Sequence, residues 1–299
     1  MISIALLGPI EVTVDGQPIP PSALAGRQRQ ILQILALEAG SAVPKDRLAA
    51  LLWDGEPPTS YVGTLESYVC VLRRTLGLAS GRSSLLATTA KGYVLDRHAV
   101  SVDLSDFRRL IAPAPSAGAG DVVAATAAAL QLVRGELLAE EPYAAWALRA
   151  RQDFSRTLVA ACAHAAQLAI AIGDFEQAER FVRRAVEVDP LCEEGWQHRM
   201  RVLWLTGRRC EALRAYAELR QVLLDELGEE PGVQSQELYL AILHDTPTSS
   251  SGRATDEVGE LRTLMLLLRQ VLDVLPGVGA PASDAALSTV AARVCRQAV

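Results

Sequence analysis

In the first twenty residues the apolar positions come in short β-prone runs. ISIALLG and IEVTV are separated by Gly8-Pro9, and Asp15-Gly16 is a two-residue hairpin signal ahead of residues 17–19. This pattern predicts a small antiparallel sheet. From Leu24 the period becomes helical: Ile31, Leu32, Ile34, Leu35 and Leu37 follow Arg27 and Arg29, and Gly40 ends the run. Residues 41–44 read as extended, and residues 45–53 place Leu48, Leu51 and Leu52 on one side of a short helix. Thr59 is the expected N-cap of a third helix reaching to about Leu76. On that helix Leu65, Tyr68, Val69, Leu72 and Leu76 fall at i, i+3, i+4, i+7 and i+11, one apolar stripe. Gly63, Glu66, Ser67, Cys70, Val71, Arg73 and Arg74 lie opposite. After Gly77 comes a polar loop, then LLATT and YVLDR, two short strands around Ala90-Lys91-Gly92.

Three helices followed by a hairpin is the order of a winged helix-turn-helix, and a preceding sheet is the response-regulator effector variant. From about Val102 the pattern is almost wholly helical, interrupted by a Pro/Gly/Ser/Ala stretch over 113–120. GDFEQAERFVRRA begins at Gly173 and GRRCEALRAYAEL begins at Gly207, 34 residues on, with Ala178 and Ala212 at the same offset, as are Val182 and Tyr216. A 34-residue helix-turn-helix period, with Gly at the turn and Ala where helices touch, is that of tetratricopeptide repeats. Residues 246–256 read as a polar linker. Over 257–299, Leu261, Leu264, Met265, Leu268, Val271, Leu272 and Leu275 mark an amphipathic helix, and Asp284 caps a shorter one. The fold class expected is mainly α with small β: a winged helix-turn-helix over 1–100, an all-α tetratricopeptide-like domain over 101–245, the linker, and a helical appendage.

Composition agrees with a globular chain of about two domains: 299 residues, 50% hydrophobic and 21% charged. Its net charge of -6 argues against a non-specific nucleic-acid coat, but the charge is unevenly spread. Residues 1–100 carry +1 and the remainder -7, while residues 59–97, holding the third helix and the hairpin, carry +3. Cys70, Cys162, Cys192, Cys210 and Cys295 show no CxxC spacing and read as reduced, buried side chains of a cytoplasmic protein. No signal-peptide pattern opens the sequence, and the apolar run at 264–268 is far short of a membrane span.

Candidate chemistry is sparse. GxxxxGK[ST], GxSxG, HExxH and a GxGxxG after a strand are all missing, and His98, His164, His198 and His244 are far apart. Neither an enzyme, a cofactor nor a metal site is expected. The third helix is the best functional candidate, because an α-helix fits the major groove and can present side chains to base edges. On it Thr64, Glu66, Ser67, Cys70 and Val71 are candidate DNA-facing positions. Glu66 could accept from a cytosine amino group, and Ser67 could meet a base or a phosphate. Arg73, Arg74 and the hairpin-tip Lys91 are candidate phosphate contacts. Arg27, Arg29, Lys45 and Arg47, which begin the earlier helices, join them because helix N-termini favour phosphate.

LLGPIEV, GRQRQILQILALEAGSAVPKDRLAALLW, TLESYVCVLRRTLG, KGYVLD and VDLSDFRRL resemble the Streptomyces antibiotic regulatory protein family, abbreviated SARP. GELLAEEPYAAW, GDFEQAERFVRRAVEVDPLCEEGW and GRRCEALRAYAELRQVLLDELGEEPG resemble that family's bacterial transcriptional activation domain. The resemblance spans roughly residues 2–244. It implies an activator of a secondary-metabolite gene cluster that binds direct repeats in double-stranded promoter DNA. It also implies a second protomer alongside and recruitment of RNA polymerase through contacts that include the sigma subunit. The family pattern has a polar residue such as Asn at Gly63, Gln at Glu66, Ser at Cys70 and Arg at Val71; these departures remove a cation and add an anion on the groove face. The alternative is a tetratricopeptide-like scaffold or effector-binding regulator with weak or no DNA binding.

Overall fold

A computed structural model describes residues 2–78, 85–112 and 117–245. The linker and helices expected over 246–299, and Cys295 with them, lie outside the described residues. Strands β1 (Ile2–Ala5), β2 (Glu11–Val14) and β3 (Gln17–Pro18) form the expected antiparallel meander, with Ile2 opposite Val14 and Ile4 opposite Val12. At the β2–β3 turn Asp15 and Gly16 both take positive φ, 51° and 82°, the twist a two-residue hairpin loop needs.

Three helices follow: α1 (Gly26–Leu37), α2 (Lys45–Leu52) and α3 (Tyr61–Thr75). They bury Ile31, Leu32 and Leu35 from α1, Leu48 and Leu52 from α2, and Leu65, Val69 and Leu72 from α3. The N-cap of α3 is Ser60 rather than Thr59, and it makes no side-chain capping bond. Then β4 (Leu86–Thr89) and β5 (Gly92–Leu95) pair as the predicted hairpin, closing on Ala90-Lys91 with Thr89 opposite Gly92. The hairpin is stitched to the rest by Val43, whose N–H donates to Tyr93 O at 2.8 Å and whose carbonyl accepts from Tyr93 N at 3.0 Å. Gly92 permits that crossing: its φ is 135°, and a Cβ there would sit 2.0 Å from Val43 O.

The sheet departs from expectation in one respect. Strand β6 (Val100–Val102) pairs parallel to β1, giving the order β3-β2-β1-β6. Three residues are too few to display a period of two, and the partner strand lies far back in sequence. Val102 therefore ends the sheet, and helix begins at the next residue.

Helices α4 (Asp103–Ile111), α5 (Ala119–Gln131), α6 (Ala145–Ala171), α7 (Phe175–Val188), α8 (Glu193–Leu205), α9 (Arg209–Leu227) and α10 (Val233–His244) make up the rest. The repeat read from sequence falls on α7 and α9, each starting two residues after a glycine with positive φ, Gly173 and Gly207. Ala178 and Ala212 are both fully buried, as close helix packing requires. Asp174 caps α7 by accepting from Gln177 N at 3.1 Å.

One continuous core runs from Ile2 and Ile4 through α1 and α3 to Phe107, Phe154 and Phe181, and a second, smaller one joins Trp196, Met200, Leu219 and Ile242. The first core spans both parts because the segment between α5 and α6 lies against β1 and α1. Leu7 and Leu137 form a bridge, Arg134 N donates to Leu7 O at 2.8 Å and Leu138 N to Leu6 O at 2.9 Å. Glu141, with its side chain 8% exposed, accepts from Arg29 and Gln30 of α1, both at 2.8 Å. Arg151 of α6 donates to the carbonyls of Leu137, Leu138, Glu141 and Pro142, so the segment is held from both sides.

The cysteines correct the sequence reading. Of those described, Cys162 is buried, with its thiol pushed up to about 12 by desolvation, while Cys70 and Cys210 are exposed. Cys70 lies on the outer face of α3, where a small side chain needs no burial. No helix among the described residues is long and apolar enough to cross a membrane, and no group of side chains there could hold a metal ion.

Two substitutions test this framework. Gly92→Ala should lower stability by about 2 kcal/mol or more, because the backbone of the 41–44 segment cannot retreat from the new Cβ. Glu141→Ala should cost roughly 2–3 kcal/mol by stranding Arg29 and Gln30 in a partly buried site. Urea unfolding midpoints of each purified variant against wild type check both.

Candidate nucleic-acid interface

The buried stripe of α3 fixes which face it turns to solvent. Tyr61 adds a tether, its hydroxyl donating to Asp46 of α2 at 2.8 Å, which raises the Tyr61 pKa. Val62, Gly63, Glu66, Ser67, Cys70, Val71 and Arg74 are exposed. Gly63, Ser67, Cys70 and Arg74, at i, i+4, i+7 and i+11, run down the middle of that face. Glu66 flanks the line on one side and Val71 on the other. Thr64 sits at the margin, half-buried, its hydroxyl donating to Ser60 O at 3.2 Å. Val62 was not among the sequence candidates; its helical phase, one turn before Glu66, was the available signal.

The charged candidates are distributed differently from the sequence expectation. Lys45 Nζ lies 2.7 Å from Glu66 Oε1, and this hydrogen bond holds the ammonium above its usual pKa. The pair crosses from the start of α2 to the exposed face of α3, so neither charge stands alone. Arg73, expected to reach phosphate, turns to the hairpin instead: it donates to Leu86 O at 2.7 Å and to Thr88 Oγ1 at 2.8 Å. Arg27 stacks over Trp53, 5.6 Å from the ring centroid, and donates to Gln30. Arg29 is committed to Glu141, and Arg47 is paired with Glu38. Arg74 on α3 and Lys91 at the hairpin tip are exposed and belong to no ion pair among the described residues.

Two features tie α2, α3 and the hairpin together. The hairpin follows α3 directly and is fastened to it by Arg73. The N-caps of α1, α2 and α3 are Ala25, Pro44 and Ser60, none of which makes a side-chain capping bond, and at the start of α3 Tyr61 N donates to Pro58 O at 2.9 Å. The Lys45–Glu66 pair and the Lys45 ammonium over the Tyr93 ring, 5.7 Å from its centroid, tie α2, α3 and β5 together.

Elsewhere, α7, α8 and α9 enclose a groove lined by Glu179, Arg183, Arg199, Arg208, Arg214 and Glu218. Its charges largely satisfy each other: Arg208 bonds Glu179 at 3.0 Å and Arg199 bonds Glu218 at 2.8 Å.

A winged helix with a sheet before it and a repeat-type helical domain behind it defines a transcription regulator. Residues 20–95 match the family described as transcriptional regulatory protein, C terminal, and residues 102–243 match the bacterial transcriptional activator domain. The regulatory protein DnrI of Streptomyces peucetius is 32% identical over 82% of this chain and 93% of its own length. The transcriptional regulatory protein MoaR1 of Mycobacterium tuberculosis is 30% identical over 86% of this chain and 84% of its own. Among solved structures, Mycobacterium tuberculosis EmbR in complex with a low affinity phosphopeptide is similar with a TM-score of 0.68 and 25% identity, covering 91% of this chain and 71% of that one. The chain belongs to the SARP family of transcriptional activators.

Arg73→Ala should loosen the hairpin without unfolding the helical part. Hydrogen exchange over β4 and β5 should rise while that over α6 and α7 stays unchanged, with a global loss of about 1–2 kcal/mol from the lost charge-assisted bonds.

Proposed function

We propose that the protein activates a secondary-metabolite gene cluster in the cytoplasm by binding direct repeats in promoter DNA, two protomers side by side, and recruiting RNA polymerase with contacts that include its sigma subunit. On this reading α3 lies in the major groove and presents Glu66, Ser67, Cys70 and Val71 to base edges, with Thr64 at its margin. Arg74 and Lys91 meet phosphates on either side. The observation that carries the reading is the exposed face of α3, flanked by a wing that Arg73 holds in a fixed position. Arg27 and Lys45 act near the backbone at the starts of α1 and α2, Lys45 through its pair with Glu66. The acidic helical part faces away from DNA and supplies the polymerase contact. The family is one of transcription regulators, and the protein is proposed to catalyse no reaction.

One observation favours the other reading, a repeat scaffold or effector-binding regulator with little DNA affinity. Arg29, Arg47, Arg73 and Lys45 are all taken up by intramolecular partners, which leaves few free cations beside the groove face. Fluorescence anisotropy with duplexes selected from a random pool separates the two. DNA binding should weaken steeply with salt, and Arg74→Ala should lower affinity for all sequences alike and reduce the salt slope by about 1. Absence of any selected duplex would favour the scaffold.

A further inference from the structure

With α3 read as the groove helix, its side chains can be sorted by what they still have to donate. Arg73 is spent on Leu86 O and Thr88 Oγ1, and Lys45 on Glu66. The hydroxyl of Ser67 donates to Gly63 O at 2.9 Å and that of Thr64 to Ser60 O at 3.2 Å. Cys70 offers only a weak S–H, and Gly63 has no side chain. Arg74, at the end of the helix, keeps free N–H groups among the described side chains of this face. Guanine is read in the major groove by donors to N7 and O6, and the middle of α3 lacks them.

What the middle offers is apolar surface beside a low ridge. Gly63, Ser67 and Cys70 are all small, so along these three positions the helix can approach the groove floor closely. Val71 is 43% exposed and lies next to Ser67 and Arg74 on the helix surface. It flanks the line on which the free Arg74 cation ends. Val62 is 39% exposed but sits on the opposite edge, beside Glu66, in the first turn. The apolar group on the major-groove floor of unmodified DNA is the C5-methyl of thymine.

We propose that Val71 is a specificity-determining residue that reads thymine, packing its γ-methyls on one C5-methyl in each repeat while Arg74 holds the adjacent phosphate. The assignment rests on α3 entering the groove and adds the base class that this position selects. Contact between the methyls removes apolar surface of both from water, and neither cytosine nor a purine places a methyl there.

The test uses the full chain and a duplex it selects from a random pool, with each thymine replaced in turn by deoxyuridine, which lacks only the C5-methyl. At one thymine per repeat the replacement should weaken wild-type binding about fourfold, the cost of one lost methyl contact. Val71→Ala, at an exposed helical position that accepts Ala, should bind the thymine duplex more weakly by a similar factor and be indifferent to deoxyuridine at that thymine. Val62→Ala should keep the wild-type sensitivity. If wild type tolerates deoxyuridine everywhere, or Val71→Ala keeps the wild-type sensitivity, the Val71 assignment fails while DNA binding stands. If no duplex is selected at all, both fall together.

Discussion

The arrangement depends on one short segment, the connection between α5 and α6, and on the backbone groups it satisfies. The end of β1 leaves the sheet with N–H and C=O groups that must find partners in a dry environment. Leu6 and Leu7 give their carbonyls to Leu138 N and Arg134 N, and their N–H groups to the carboxylate of Asp103, which also accepts from Leu104 N. Burial pushes the Asp103 carboxyl up, and the backbone N–H groups and Arg134 oppose that rise. Glu141 then reaches to the first turn of α1. The winged part and the helical part are consequently joined, among the described residues, by hydrogen-bonded backbone and a shared core.

The local elements were largely legible. The hairpin at Asp15-Gly16, the apolar stripe of α3, the wing around Lys91 and the 34-residue repeat each follow from short-range periodicity or turn chemistry. What escaped was non-local. Strand β6 exists because β1 has an open edge, not because VSV announces a strand. The partners of Arg73, Arg29 and Lys45 are Leu86 O, Glu141 and Glu66, and no spacing rule links those positions. A sequence gives the number of cations near a helix but not how many of them fold back on the protein. Cys70 was misread for a related reason, since a small side chain is equally at home inside a core or on a face that approaches another molecule.

The exposed face of α3 combines three features. Its centre is small, two valines flank it, and its acid is neutralised by a lysine from another helix. Neutralisation matters physically: an unpaired Glu66 would repel the phosphates on both sides of any groove it entered. Paired with Lys45, it keeps one carboxylate oxygen as an acceptor at much lower electrostatic cost. The acidic balance of the chain is thus locally cancelled where the helix is bare and left standing over the residues after 100.

Arg73 gives the winged part the character of a caliper. Its guanidinium spans from α3 to the first strand of the hairpin, so Arg74 on one jaw and Lys91 on the other sit on two elements that one side chain ties together. Duplexes differ in groove width and in the energy needed to change it. On the proposed DNA-bound reading, contacts held apart in this way would favour duplexes whose backbone spacing already matches and so extend selection to base pairs that no side chain touches.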